Sequence, residues 1–361
     1  MPRLLTPTVL RRGFQLFLLA SLLGFAGLLL YSKNAGGFLA AIPRVHWGWV
    51  LFGLVLASMD WIGGGLRLWV VAREIHPHPS LKGLILAGGM SAWASYLTPL
   101  QSGAAPMMVY TMHRYGLPVP VGLTATLMSF VATVAFFALA GPIAIVFGAG
   151  RSLGQHGVAL GVSLYDLFLG SLGVFALLGV LLLGVVVFPR YAHGLVHRLA
   201  GFLGRRSRRI ADRLEIWERG IDDVHAAVSR FNSPRGWLVL LLATVFSGPS
   251  HANKLLAGYV ALRAIGIEAQ FVDVLLLQTF ITFLLYFAPT PGASGIAEIL
   301  SAAVMSIYVP RELIPLYTLL WRLVISYYTI GFGSVIFSFW VRRGLQAIDE
   351  EPAAAAAQPG S

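Results

Sequence analysis

Six stretches of this chain, near residues 13–31, 47–72, 121–148, 164–188, 237–262 and 315–340, stay apolar over about twenty residues or more. Twenty helical residues at about 1.5 Å each match the roughly 30 Å hydrocarbon core of a bilayer. Hydrophobic residues make up 57% of the 361, and only 11% are charged, against about a quarter in a soluble domain. A water-soluble fold of this length could not hide so much apolar surface. The expected fold class is an all-α polytopic membrane protein. With no cysteine in the chain, disulfides, cysteine-ligated iron–sulfur clusters and thiol chemistry are excluded.

Two further apolar regions, 81–114 and 271–308, are each too long for one helix. The same phrase interrupts both: TPLQSGAAP at 98–106 and TPGASGIAE at 290–298, 192 residues apart and identical at five of nine positions. At the same offset Ser58 falls on Ser250, Leu84 on Leu276, Pro118 on Pro310 and Leu127 on Leu319. These matches suggest a duplicated unit of about 100 residues. Proline lacks an amide hydrogen and ends a helix. Glycine permits tight backbone paths, and serine or threonine can cap a restarted helix. Irregular backbone at membrane depth must be buried in protein or line a cavity.

Lysine and arginine number 26 against 15 acidic residues. The basic residues cluster beside the apolar runs, so topology explains the surplus better than nucleic-acid binding does. The six runs are expected to cross fully, and regions 81–114 and 271–308 to return to the side they entered from. With a cytoplasmic N-terminus, 18 Lys and Arg then fall inside and five outside: Lys33, Arg44, Arg151, Arg263 and Arg311. That bias is the one the positive-inside rule requires. Both termini are then cytoplasmic, and the two units enter the membrane from opposite faces as inverted repeats. Arg3, Arg11 and Arg12 precede the first run as they would a signal peptide, but no small-residue cleavage site follows, so a retained anchor is expected.

The expected organisation is an arm, first helix and outer loop (1–42), repeat unit A (43–150) and a linking loop and helix (151–189). A basic cytoplasmic segment (190–233), repeat unit B (234–343) and a disordered tail (344–361) follow. Within the basic segment, RRSRR at 205–209 precedes an apolar stripe that runs from Ile210 to Phe231 at helical spacing. This helix is expected on the inner headgroups or packed under the bundle.

Ionisable groups inside a bilayer are costly and face the bundle interior. Asp60 and Arg67 share a helix face across the GGG run at 63–65, and Asn253 and Lys254 occupy the comparable helix of unit B. Glu298 and Arg322 form a candidate pair. Arg67, Lys254 and Arg322 are candidate ligands for a lipid phosphate. Helix ends at Pro99, Ser102 and Gly103, and at Pro291, Gly292, Ser294 and Gly295, would bring positive N-termini to the same anion. Tyr96 and Gln101 are further polar candidates beside the first break. No phosphate-binding G-x-x-x-x-G-K-[ST] and no H-E-x-x-H motif occurs. The HPH at 76–78 lacks a surrounding carboxylate cluster. No cofactor, metal or nucleic-acid partner is expected.

The phrases APTPGASGIAE at 288–298 and LLWRLVISYYTIGFGSVIF at 319–337 resemble the lysylphosphatidylglycerol synthase transmembrane-region family, also called the flippase-like domain family. Its P-x-P-G-G-x-G-x-x-E phrase falls on Pro289, Pro291, Gly292, Gly295 and Glu298, with Ala293 in place of the second glycine. Its aromatic–Arg–Leu phrase falls on Trp321, Arg322 and Leu323. The family's first-half G-E pair is absent, because 102–106 reads SGAAP. The resemblance covers about 45–340. It implies the membrane half of enzymes that lysylate phosphatidylglycerol and flip the product, here without their soluble aminoacyl-transfer domain.

The expected function is therefore an inner-membrane lipid translocase, not an enzyme, moving an anionic phospholipid or polyprenyl-phosphate-linked lipid between leaflets. The alternative is a non-transporting subunit that presents lipid to a partner lipid- or glycan-modifying enzyme. Membrane lipids are partners in either case. The sequence assigns no oligomeric state.

Overall fold

The computed structural model describes residues 7–146 except Asn34, residues 158–159 and 162–188, isolated positions between 190 and 222, and residues 225–340 except Phe287. The described chain is a multi-spanning helical bundle. Helix α1 (Pro7–Ser32) leads through a short α2 (Ala35–Ala41) into the first half. That half comprises α3 (Trp47–Ile75), α4 (Leu81–Tyr96), a 3-10 turn (Pro99–Gln101), α5 (Ala104–Arg114) and α6 (Val119–Val146). Helix α7 (Leu164–Val187) links it to the second half. There, α8 (Pro234–Ala264), α9 (Phe271–Tyr286), a 3-10 turn (Pro291–Ala293), α10 (Ile296–Met305) and α11 (Ile314–Arg322) follow in the same order. Helix α11 passes through a π turn at Leu323–Tyr327 and stays helical to residue 340.

Four segments, Val9–Ser32, Trp47–Ile75, Val119–Ile143 and Arg311–Trp340, are long and apolar enough to cross a membrane by length and composition. Local sequence sets where helices start. Ser80 caps α4 by accepting from the Gly83 amide at 3.2 Å, and Ser233 caps α8 through Gly236 at 3.1 Å. Pro234 follows Ser233 as the first residue of α8, where its missing N–H costs nothing.

The two 3-10 turns carry the same backbone signature. Leu100 and Gln101 lie in the left-handed region at φ 51° and 54°, and Gly292 and Ala293, each 192 positions later, lie at 57° and 54°. Glycine adopts this region freely. Three of the four residues are not glycine, so surrounding structure must hold the turns.

The most extensive helix interface joins α3 to α8. Gly63 makes the close approach possible: a Cβ there would lie 2.7 Å from the Ser250 amide nitrogen and 2.9 Å from the Pro249 carbonyl carbon. Small residues at helix contacts serve the same purpose in membrane bundles generally, where lipid supplies no hydrophobic drive between helices. Around this axis, one apolar cluster gathers Leu68, Leu84, Met112 and Met128 of the first half with Leu240 of α8. A second gathers Leu276, Phe280, Tyr317 and Trp321 of the second half. Large side chains such as Leu22, Leu23, Leu30, Leu177 and Val180 stay exposed on α1 and α7, as lipid-facing surfaces require.

Three details differ from or refine the sequence expectations. Helix α2 was not anticipated, because its AGGFLAA sequence carries two glycines and no cap signal. The segment before α7 contains a two-residue antiparallel ladder that pairs Val158 with Ser163 and Ala159 with Val162. Val228 and Phe231, the end of the amphipathic stripe, are buried against the cluster of Leu68, Val71 and Ile75, so this end packs under the bundle. Residues 199–221 and the tail from 341 lie outside the described residues.

Candidate functional site

The two 3-10 turns pack against each other, and the second also meets the end of α4. A Cβ on Gly292 would lie 2.9 Å from the Tyr96 carbonyl oxygen and 2.8 Å from the Phe17 ring. Beside this junction is a narrow cleft of about 40 Å³. Tyr96 and Gln101 line it from the first half, Lys254 from α8, and Thr282 and Tyr286 from α9. Thr290 and Gly292 of the second turn, with Trp321 and Arg322 of α11, complete it. The turns are not equally covered: Pro99, Leu100 and Ser102 are exposed, whereas Pro291 through Ser294 are buried. Helix α1 contributes to this difference by laying Phe17 over Gly292.

Glu298 and Arg322, both 1% exposed, are bridged from Oε1 to Nε at 2.9 Å. Glu298 Oε1 also accepts from Ser21 Oγ at 2.6 Å, and its Oε2 accepts from the Gly295 amide at 2.7 Å. The carboxylate thereby caps α10 at its positive end, where the expected serine cap is absent. Ser294 Oγ instead donates to the Pro291 carbonyl at 2.8 Å. Arg322 Nη1 donates to the Gly292 carbonyl at 3.1 Å, and the guanidinium lies 5.5 Å from the Phe17 ring centre and 5.7 Å from that of Tyr327. This closed network fastens the second turn to α11 and α1. At the first turn Thr98 does the comparable work. Its hydroxyl donates to the Ala94 carbonyl and accepts from the Gly103 amide, both at 2.8 Å.

Asp60 pairs across the α3–α8 interface. Lys254 Nζ lies 3.3 Å from its Oδ1, and Asn253 Nδ2 donates to its Oδ2 at 3.3 Å. The Lys254 side chain keeps 21% exposure, toward the cleft, while Asp60 keeps 6%. Arg67, two turns from Asp60, is not its partner. Its Nη1 donates to Thr133 Oγ1 at 2.6 Å and to Ser247 Oγ at 3.4 Å, and its buried Nε has no acceptor. Among the described residues no carboxylate lies within ion-pair distance of it. His251 sits one turn from Lys254. Its Nδ1 meets the Ser247 carbonyl at 2.8 Å, and since a carbonyl can only accept, Nδ1 carries the hydrogen.

The structure thus brings Lys254, Arg322, Gly292 and Gln101 to one cleft. Asp60 and Asn253 stand behind Lys254, Glu298 stands behind Arg322, and Arg67 occupies a separate pocket of hydroxyls. Sequence reasoning missed Ser21, Tyr286 and Tyr327. Ser21 was detectable as a polar residue inside an apolar run. The two tyrosines resemble ordinary interfacial aromatics until the fold places them. No group of three or more His, Cys, Asp or Glu residues able to hold a metal occurs among the described residues.

Interrupted helix pairs meeting at buried charges inside a multi-spanning bundle define a multi-pass α-helical membrane protein. The family described as "Lysylphosphatidylglycerol synthase TM region" matches residues 14–333, and the chain belongs to it. The chain is also 23% identical over 309 residues to a "UPF0104 membrane protein" of Archaeoglobus fulgidus, covering 83% of this chain and 89% of the relative. Family membership is consistent with a lipid-handling role and with a non-catalytic membrane module.

Proposed function

We propose that the protein is a lipid translocase that moves an anionic phospholipid or a polyprenyl-phosphate-linked lipid between the leaflets of a cell inner membrane. The observation that carries this reading is the contact between the two broken turns beside a cleft lined by Lys254 and Arg322. Two cations beside backbone freed from helical pairing suit a phosphate group. Helices α5 and α10 have 11 and 10 residues. At about 1.5 Å per residue each is roughly half the length needed to cross. This supports re-entrant pairs, and the matching element order supports two inverted units. In such a scheme the exposed first turn and the covered second turn correspond to one state of an alternating cycle. The headgroup would pass through the cleft while the acyl chains stay in lipid, with Lys254 and Arg322 nearest the phosphate.

Reconstitution tests the proposal. Purified protein in liposomes should accelerate headgroup exchange between leaflets for at least one lipid of an anionic and polyprenyl-phosphate panel. Exchange no faster than in empty liposomes, with and without a proton gradient, would refute it. Binding of the same lipids without exchange would instead support a subunit that presents lipid to a partner enzyme.

A further inference from the structure

We propose that the cleft carries a proton together with its anion, and that Asp60 is the proton carrier. The inference rests on the translocase reading and adds the coupling ion to it.

The two buried ion pairs differ in kind. Glu298 has three donors at 2.6–2.9 Å and is sealed with Arg322 at 1% exposure. Asp60 has two, both at 3.3 Å, and its charged partner Lys254 faces the cleft. Charge-assisted bonds of N–H donors normally close to about 2.7–2.9 Å, so the Asp60 pair is the looser one. A phosphate entering the cleft reaches Lys254 first and competes with Asp60 for its single charge. Once Lys254 turns to the phosphate, Asp60 keeps only the Asn253 amide. A carboxylate left alone in a low-dielectric interior is costly, and protonation relieves that cost.

Among the described residues no other cation stands ready to replace Lys254; Arg322, which lines the same cleft, is bridged to Glu298. On α3 itself, Arg67 is roughly 10 Å along the helix and bonded to hydroxyls. On α8, His251 is tied through Nδ1 to Ser247, with its ring 5.2 Å from that of Phe137. From α4, the Tyr96 hydroxyl donates to the Ile325 carbonyl. Tyr286 of α9 lines the same cleft as Lys254, and Tyr328 of α11 pairs with Ser58 at 2.8 Å. Among the described residues Asp60 therefore has Lys254 as its one ion-pair partner.

The charge balance fixes the stoichiometry. A phosphodiester brings one negative charge to Lys254, and one proton from water on the open side forms an O–H bond on Asp60. When the lipid leaves, Lys254 returns to Asp60 and the proton departs to water on the second side. The charge in the site is the same before and after loading. Transport is electroneutral symport, driven by a pH gradient and indifferent to membrane potential.

The test uses the full chain in liposomes containing a trace of headgroup-labelled phosphatidylglycerol, a phosphodiester of single negative charge, and an enclosed pH-sensitive dye. One-to-one coupling makes the tracer accumulate in the leaflet on the alkaline side, by up to about tenfold per pH unit. A potassium diffusion potential should leave that distribution unchanged, and loading one leaflet with lipid should shift the internal pH. Asp60→Asn should abolish the pH-driven distribution at any exchange rate, while His251→Asn should retain it. Accelerated exchange that ignores the pH gradient overturns the coupling and leaves the translocase reading standing. A pH-driven distribution that survives in Asp60→Asn, or is lost in His251→Asn alone, overturns the assignment to Asp60. If Asp60→Asn does not fold, the dye signal of the unmodified protein still decides whether protons move. No exchange of any lipid overturns both readings together.

Discussion

Glu298 and Arg322 hold one another where neither could stand alone. Removing one partner of a buried, hydrogen-bonded pair costs about 3–5 kcal/mol, because the other charge is left uncompensated. Glu298→Gln and Arg322→Gln should each lower thermal stability in detergent by that order. The double substitution should be far less than additive, since both share one interaction. Additive losses would reject direct coupling. Lys254 should behave differently. Its one ion-pair partner is held loosely at 3.3 Å, so Lys254→Ala should leave the fold in place. A phosphate that loses a charge-assisted bond loses roughly 1.5–3 kcal/mol. Lipid exchange in Lys254→Ala should then fall about tenfold to a hundredfold, while Arg67→Ala, in its separate pocket of hydroxyls, should change it far less. An unchanged exchange rate in Lys254→Ala would remove it from the phosphate path.

At the scale of elements, the close contacts of α3 and of the second turn are specific enough to test by adding one methyl group. Gly63→Ala drives a Cβ into backbone atoms of Pro249 and Ser250, and Gly292→Ala drives one against Phe17 and the Tyr96 carbonyl. Neither backbone can yield without separating helices, so each should destabilise by about 1–3 kcal/mol. Gly27 on α1 is the control, because a Cβ there meets nothing within 4 Å. In a helix interior alanine is favoured over glycine by up to about 1 kcal/mol. Gly27→Ala should therefore melt no lower than the unmodified protein. Equal losses at all three positions would refute the claim that close packing, not helix propensity, sets these glycines.

For the whole molecule, orientation in the membrane is the property to measure. Under the positive-inside rule, the 18-to-5 distribution of Lys and Arg predicts that both termini and the basic segment are cytoplasmic. The chain has no cysteine, so single cysteines at Ser207 and Gln155, both outside the described residues, can be labelled from either side. An outside-only reagent should modify position 155 and spare position 207. Labelling of 207 would sink the orientation. So would protection of 155 from that reagent if it reacts once the membrane is opened.

Much of this architecture was legible before any coordinates. The apolar runs located the long helices because twenty consecutive apolar residues have few other uses. The phrase repeated at 192 residues located both breaks because it sets proline beside serine and glycine within a few residues; proline alone does not suffice, since Pro142 and Pro249 lie inside α6 and α8. These are local properties, and the chain carries them in any environment. Partner choice is not local. Asp60 and Arg67 share a helix face by spacing, yet Asp60 bonds to Asn253 and Lys254 from 193 and 194 residues away, because α8 passes close enough at Gly63 to deliver them. The two turns are near-copies in sequence and share their left-handed backbone. One is exposed and one buried in part because α1 lays Phe17, and α4 the Tyr96 carbonyl, against Gly292 of the second. Spacing along the chain fixes which residues a helix can present on one face. Which of them finds a charge, a hydroxyl or nothing depends on the helix that packs there, and that is decided by the whole bundle burying its surfaces at once.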